Sequence, residues 1–200
     1  MNENAIIIFQ ENPTPGKVKT KLGEVIGGVK AAEVYKYLLR NIHDLVRNYP
    51  ADVFVYFSEE VDHDFMLNDH YHLALQGAGT NTEKMKNAYE EVFSKGFEKV
   101  LFLRPDTKEL TLDILDEAFE VLNYQDLVIG PAQDGNAYLL GMKMFHADLL
   151  DHIDWEDGTT CENIVLDAKV KKVNCHNLPM LFDVESYEDL KSLRGILNIK

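Results

Sequence analysis

Short runs of Val, Ile, Leu and Phe, each closed by Asn, Asp, Gly or Pro, alternate along the chain with longer stretches in which apolar residues recur every three or four positions. The runs at residues 5–9, 52–57, 99–103 and 126–130 predict strands buried on both faces, as in a parallel sheet. Between them, Ala31, Val34, Tyr35, Leu38, Leu39, Ile42, Leu45 and Val46 form one helical stripe, and Met85, Ala88, Tyr89, Val92 and Phe93 form a second. A third starts at Thr111, a residue type that caps helices, and continues through Leu112, Leu115, Ala118, Phe119 and Leu122. Gly96 stops the second helix just before the next strand. With right-handed crossovers, this β-α-β-α-β series predicts an α/β fold, a three-layer α/β/α sandwich on a mostly parallel sheet.

The second half is less regular. Residues 137–142 predict a strand, 159–168 a helix, 172–176 a strand, and 186–197 a last helix in which Ser186 and Asp189 come close to a capping box. Residues 58–82 are polar and rich in His, Asp and Gly, so a loop excursion is expected there, with 73–76 as a short edge strand. No repeat or linker breaks the chain, and residues 1–200 read as a single domain, a length that one core can serve.

Charge alters the picture at one place. The chain carries 34 acidic against 20 basic residues, a formal charge of −14, which argues against general nucleic-acid binding because that needs a broad basic face. Yet the loop after the first strand, Gln10-Glu11-Asn12-Pro13-Thr14-Pro15-Gly16-Lys17-Val18-Lys19-Thr20-Lys21-Leu22, places Lys17, Lys19 and Lys21 on alternate positions. Open α/β sheets bind ligands at the carboxyl ends of their strands, so these lysines point to an anionic, phosphate-bearing ligand. The apolar run at 5–9 is shorter than a signal-peptide core and no run approaches the ~18 residues of a membrane span, so a cytoplasmic protein is expected. Cys161 and Cys175 are too few for a disulfide framework or a zinc site and read as packed, reduced thiols.

The other strand ends carry candidate chemistry of their own: Gln76-Gly77, Arg104-Pro105-Asp106, the segment 131–135 with Asp134-Gly135, and Phe182-Asp183-Val184-Glu185. Carboxylates at the last three could hold a divalent cation against nucleotide phosphates, since Mg²⁺ takes one or two carboxylates plus phosphate oxygens. Each also has a structural reading: Asp134-Gly135 as a turn, Asp183 and Glu185 as favourable charges at a helix start, the lysines as solvated side chains. His63, His70 and His72 with their neighbouring aspartates look like metal ligands but lack a defined set of three or four, and read as structural or solvated. His146, His152 and His176 stand alone, and Trp155 reads as an acceptor-pocket wall or a packed aromatic.

Taken in order, these segments closely resemble the DUF2064 group, small bacterial proteins described as glycosyltransferase-like with the nucleotide-diphospho-sugar transferase (GT-A) fold. The resemblance runs from about residue 4 to 193. It rests on the loop from Asn12 to Leu22, Leu75-Gln76-Gly77 with Glu83-Lys84-Met85, Asp106 with Leu110-Thr111, Gly130-Pro131-Ala132 with Asp134-Gly135 and Tyr138-Leu139-Leu140-Gly141, and Asp183-Val184 with Glu188-Asp189-Leu190. It implies a nucleotide or nucleotide-sugar bound by Lys17, Lys19, Lys21, Gln76 and Gly77, and a divalent cation, Mg²⁺ or Mn²⁺, held by Asp106 with Asp183 and Glu185. It also implies a small-molecule acceptor positioned or deprotonated by Asp134. The activity implied is glycosyl or nucleotidyl transfer with a nucleotide diphosphate leaving group.

The departures from that pattern bear on chemistry. Where the family usually has Gly-Ser-Asp-Cys-Pro-Asp-Leu-Thr, this chain has Arg104-Pro105-Asp106-Thr107-Lys108-Glu109-Leu110-Thr111, with two cations beside the metal-ligand position. The family's Glu-Asp-Gly-Gly-Tyr-Tyr becomes Gln133-Asp134-Gly135-Asn136-Ala137-Tyr138, its Asp-Val-Asp becomes Asp183-Val184-Glu185, and one arginine becomes Lys21. Cations close to Asp106 lower its need for a metal, so the expected metal affinity is weak. The alternative expectation is a degenerate, non-catalytic nucleotide-binding or interaction protein that keeps the fold.

Overall fold

The chain enters through β1 (Asn4–Gln10), in which residues 5–8 are wholly shielded from solvent because both faces are covered. The computed structural model describes residues 3–151, 153, 155 and 157–192. β1 lies between β2 (Asp52–Phe57) and β4 (Lys99–Leu103), parallel to both, with Ile7 opposite Phe54 on one side and Phe102 on the other. β3 (Tyr71–Leu75) adds parallel to β2. Beyond β4 the chain direction changes: β6 (Ala137–Met142) runs antiparallel to β4 and to β5 (Leu127–Pro131), and β7 (Cys175–Asn177) closes the far edge parallel to β5. The sheet order is β3-β2-β1-β4-β6-β5-β7, one mostly parallel sheet of seven strands.

Helices cover both faces. α2 (Gly28–Val46) and α4 (Leu112–Val121) pack Ile42, Val46, Leu115 and Phe119 against Ile6, Ile8 and Leu101. α3 (Asn81–Ser94) and α5 (Thr160–Lys171) pack Met85, Tyr89, Ile164 and Ala168 against Ile7, Phe102 and Leu140. Successive β1 residues thus alternate between two cores, which is why the strand reads as an unbroken apolar run. The start of α3 is fixed by a capping box: the Glu83 N–H donates to Thr80 Oγ1 (3.2 Å) and the Thr80 N–H to Glu83 Oε2 (2.7 Å). Thr111 caps α4 by accepting from the Ile114 N–H.

The expected α/β/α sandwich is therefore present, with local differences. The lysine loop ends in a short helix, α1 (Thr20–Ile26), that no apolar stripe predicts because it buries only Leu22. β3 starts at Tyr71 rather than 73, since Tyr71 pairs with Val53. α5 continues to Lys171, where Lys172 (φ 59°) ends it in a left-handed turn, and the last strand begins at Cys175 rather than 172. Ser186 and Asp189 do exchange reciprocal hydrogen bonds. They lead into a 3-10 turn, Asp189–Ser192, and the rest of the helix expected over 186–197 lies outside the described residues. No helix among the described residues is long and apolar enough to cross a membrane.

Candidate functional site

The carboxyl ends of β1, β2 and β4 open into a cavity of about 680 Å³. The loop after β1 is tied to the end of β2 through Asn12, whose Oδ1 accepts from the Glu59 and Glu60 N–H groups (3.0 and 3.2 Å) while its Nδ2 donates to the Glu60 carbonyl (2.9 Å). On its other side the loop presses on the start of α2, where a Cβ on Gly28 would stand 2.8 Å from the Gly16 nitrogen. Held at both ends, the loop carries Lys19 into the left-handed region (φ 46°, ψ 49°), a conformation that costs a non-glycine residue about 1–2 kcal/mol. That turn sends the Lys19 side chain inward, leaving it 4% exposed.

Lys19 is the hub of an ion-pair cluster. Its Nζ reaches Asp106 Oδ1 at 2.7 Å and Glu185 Oε1 at 2.5 Å, while Arg104 Nη2 reaches the other Asp106 oxygen at 2.8 Å. Arg104 Nη1 faces Asp183 Oδ2 at 3.9 Å, too far for a hydrogen bond. The segment after Leu181 is fixed beside Asp106 by backbone pairing, with the Val184 N–H donating to the Asp106 carbonyl (2.9 Å) and Glu109 accepting from the Phe182 N–H (3.0 Å). Burial alone would raise the Asp106 carboxyl, but Lys19 and Arg104 override it and hold it at about 2. Asp183 goes the other way: burial, then the Asp106 charge, push its carboxyl up to about 7, and neither of its oxygens has a hydrogen-bond partner.

Asp134 enters from the turn between β5 and β6. Its carboxylate accepts from the Asn136 backbone N–H (2.9 Å) and from Asn136 Nδ2 (2.7 Å), and Asn136 is in turn fixed by Thr160 Oγ1 (3.0 Å). Gly135 adopts φ 88°, and a Cβ there would overlap the Gly158 carbonyl oxygen, so the turn is locked against the loop before α5. Phe9, Phe102 and Trp155 give the cavity an aromatic lining, with Phe102 5.1 Å from Phe9 and 6.1 Å from Trp155 between ring centroids. Trp155 thus both packs and lines the cleft. At the end of β1, Gln10 Oε1 accepts from His43 Nε2 (2.7 Å), and burial lowers His43 to about 4, keeping it neutral.

Of the residues singled out in the sequence, Lys17, Lys19, Lys21, Gln76, Asp106, Asp134 and Glu185 line this one cavity. Gly77 and Asp183 do not; Gly77 sits toward α3 near Asn87, and Asp183 is buried 3.9 Å from Arg104. Lys17 pairs with Glu59 at the rim (2.7 Å), and Gln76 Nε2 donates to the Tyr56 carbonyl (3.2 Å). Lys84 also lines the cavity, one turn into α3 and next to buried Met85. The capping box ahead of Lys84 was the signal that could have placed it at a strand end. Among the described residues no histidine lines the cavity: His72 pairs with Asp52 (2.9 Å) and stacks on Phe54, and His176 meets Glu117 (3.2 Å); His152 lies outside the described residues. Cys161 and Cys175 are free thiols, which burial pushes up to about 12 and about 11.

Asp106, Asp183 and Glu185 converge, but the arrangement does not fit a divalent cation as it stands. Both Asp106 oxygens are bonded to side-chain cations, one Glu185 oxygen shares the same lysine, and the Asp183 carboxylate is buried outside the cavity lining, 3.9 Å from the Arg104 guanidinium. Among the described residues no group of three His, Cys, Asp or Glu is disposed to hold a metal ion.

No curated protein matches the chain in sequence. Among solved structures, it is similar to a protein of Desulfovibrio desulfuricans G20 provisionally assigned as a nucleotide-diphospho-sugar transferase, with a TM-score of 0.89 and 30% identity over 96% of this chain and 87% of that one. The 4-diphosphocytidyl-2C-methyl-D-erythritol synthase of Anaerococcus prevotii DSM 20548 follows at TM-score 0.64 and 12% identity, covering 98% of this chain and 96% of that one. Rv0371c of Mycobacterium tuberculosis H37Rv, in complex with manganese, has TM-score 0.57 and 10% identity over 97% and 98% of the two chains. At such identities the likeness is one of fold alone, that of nucleotide-diphospho-sugar transferases and cytidylyltransferases. Residues 41–157, more than half of the chain, match the family described as uncharacterized protein conserved in bacteria, DUF2064, and the chain belongs to that family.

Proposed function

We propose that the protein is a transferase acting on a nucleotide-activated substrate, most simply a nucleotide sugar whose glycosyl group passes to a small acceptor. The observation that carries this reading is the cavity of about 680 Å³ at the strand ends, lined by Lys17, Lys21 and Lys84 together with Asp134. Sheet order supports a division of labour: β4 lies between β1 and β6, so the lysine loop after β1 and the Asp134 turn before β6 flank the end of β4. In this reading the lysines and Arg104 stabilise charge building on the nucleotide diphosphate as it departs, an electrostatic task. Asp134, held by Asn136, orients an acceptor hydroxyl or takes its proton. No covalent nucleophile is needed. The similarity to the D. desulfuricans protein supports a nucleotide-diphospho-sugar as donor.

A thermal-shift panel of nucleoside diphosphates, triphosphates and nucleotide sugars tests it. Stabilisation by a nucleotide sugar, followed by release of the nucleoside diphosphate on adding candidate acceptors, is the expected result; no shift with any nucleotide would remove the reading. Two outcomes mark variants of it. Pyrophosphate release from a triphosphate would assign nucleotidyl transfer. Binding without any turnover would assign the non-catalytic alternative, which the closed ion-pair cluster around Asp106 favours.

A further inference from the structure

Two carboxylates that line this cavity, Asp106 and Glu185, already have their counter-charges, and those charges are covalently part of the chain. Asp106 accepts Lys19 on one oxygen and Arg104 on the other, at 2.7 and 2.8 Å, so both are engaged before any ligand arrives. Glu185 shares the same ammonium at 2.5 Å. Neither oxygen of the Asp183 carboxylate has a hydrogen-bond partner, but its side chain is only 3% exposed and it does not line the cavity. What stands next to it is the Arg104 guanidinium at 3.9 Å. An ion coordinated by both Asp106 and Asp183 would therefore have to occupy the space that the guanidinium fills.

We infer that Arg104, assisted by Lys19, is a tethered replacement for a divalent cation, and that the cleft binds a nucleotide diphosphate without metal. Both oxygens of Asp106 and one of Glu185 are already bonded to fixed cations, whereas Mg²⁺ and Mn²⁺ bind through carboxylates whose lone pairs are free. Arg104 is suited to the substitution. Its planar fork bonds Asp106 through Nη2 while Nη1, buried toward Asp183, has no hydrogen-bond partner, and the guanidinium is never deprotonated. It lines the cavity and its side chain is 21% exposed, whereas Lys19 at 4% is almost wholly enclosed. Arg104 is thus the cation that phosphate would meet, and Lys19 a positioning residue that keeps Asp106 ionised to hold it.

The nucleotide part of this inference rests on the proposed function, whereas the metal part does not, and the experiment separates them. Mn²⁺ is titrated into the protein alone and followed by electron paramagnetic resonance; calorimetry then measures nucleoside diphosphate binding in EDTA and in Mn²⁺. The wild-type protein is expected to show no Mn²⁺ site tighter than about 1 mM and a nucleotide affinity that EDTA changes by less than about twofold. Arg104→Gly, which empties the position, is expected to lose about tenfold or more of the nucleotide affinity in EDTA, to gain a stoichiometric Mn²⁺ site, and to regain nucleotide binding with the metal. Arg104→Gln, which keeps most of the volume, should lose the affinity without regaining it. A stoichiometric Mn²⁺ site in the wild-type protein, or nucleotide binding that disappears in EDTA, overturns the inference. If no nucleoside diphosphate binds under either condition, the proposed function fails, while the Mn²⁺ titration of the protein alone still decides the metal question. Should the Arg104 variants not fold, the wild-type arms suffice.

Discussion

Replacing Asp183 with asparagine should make the protein more stable, although it removes a carboxyl group that packs beside Arg104 of the candidate site. Neither oxygen of Asp183 has a hydrogen-bond partner, and the nearest cation, Arg104, is 3.9 Å away. Burial and the Asp106 charge raise its carboxyl from 3.8 to about 7, so the folded state binds the proton more tightly than the unfolded chain does. The sign follows from linkage: the contribution to stability is complete below about pH 3.8 and is lost as pH rises through about 7. A difference of about three pH units corresponds to about 4 kcal/mol, a large share of the 5–15 kcal/mol that holds a typical domain together. The asparagine would not titrate, but its amide would still lack partners at a cost of about 1–3 kcal/mol, leaving a net gain of about 1–3 kcal/mol above pH 7. For a chain of 200 residues this raises Tm by roughly 2–9 °C. Thermal and urea unfolding of both proteins at pH 5, 6, 7 and 8, in EDTA, measure the effect, because the difference between them isolates the one group. Wild-type stability that stays level or rises relative to Asp183→Asn between pH 5 and 8 would refute the reasoning.

Three further expectations concern other parts of the structure. Lys19→Met leaves Asp106 and Glu185 without their shared counter-charge and should cost about 3–5 kcal/mol in urea melts. Because Asp106, held at about 2, stabilises the fold above pH 3.8 and loses that effect only as pH falls toward 2, the same variant should also unfold in acid at a higher pH; a loss under about 1 kcal/mol would contradict the cluster's role. Gly135→Ala drives a Cβ into the Gly158 carbonyl oxygen at φ 88° and should cost at least about 3 kcal/mol, so an unchanged urea midpoint would show that the loop before α5 gives way. Tyr89→Phe removes the bond from the buried hydroxyl to the Leu140 carbonyl (2.6 Å) and should lower stability by about 1–2 kcal/mol without altering nucleotide binding, as circular dichroism melts and calorimetry would record.

The sheet was legible because a strand buried on both faces leaves an unmistakable apolar run, and residues 52–57, 99–103 and 137–142 match β2, β4 and β6 to the residue. Strand direction was not, since the apolar run from Ala137 to Met142 reads equally well in either orientation; only its pairing with β4 and β5 fixes it as antiparallel. α1 leaves no signal in the sequence because a helix with one buried residue has no periodic stripe. The ion-pair cluster was half visible. Arg104 and Lys108 both stood near Asp106 in the sequence, but only the folded loop reveals that Arg104 bonds the carboxylate, whereas Lys108 offers its carbonyl to Asn41. Lys19 looked no different from Lys17 and Lys21, because nothing in a lysine announces a left-handed backbone that will turn it inward. Asp183 and Glu185 likewise read as a matched pair, and burial alone distinguishes them.

The bond from Lys19 to Glu185 joins residues 166 positions apart, and this bears on the order in which the molecule assembles. Closing so long a loop costs about 4–5 kcal/mol of chain entropy, which one ion pair does not offset, so the contact forms only after the central strands have brought its partners together. The cleft is then among the last parts to be completed during folding and among the first to come apart. Substitutions at Lys19, Arg104 or Glu185 should leave the folding rate nearly unchanged and act on the unfolding rate. Whatever anion settles in the cleft and bridges these groups would lengthen the lifetime of the folded protein more than it hastens its formation.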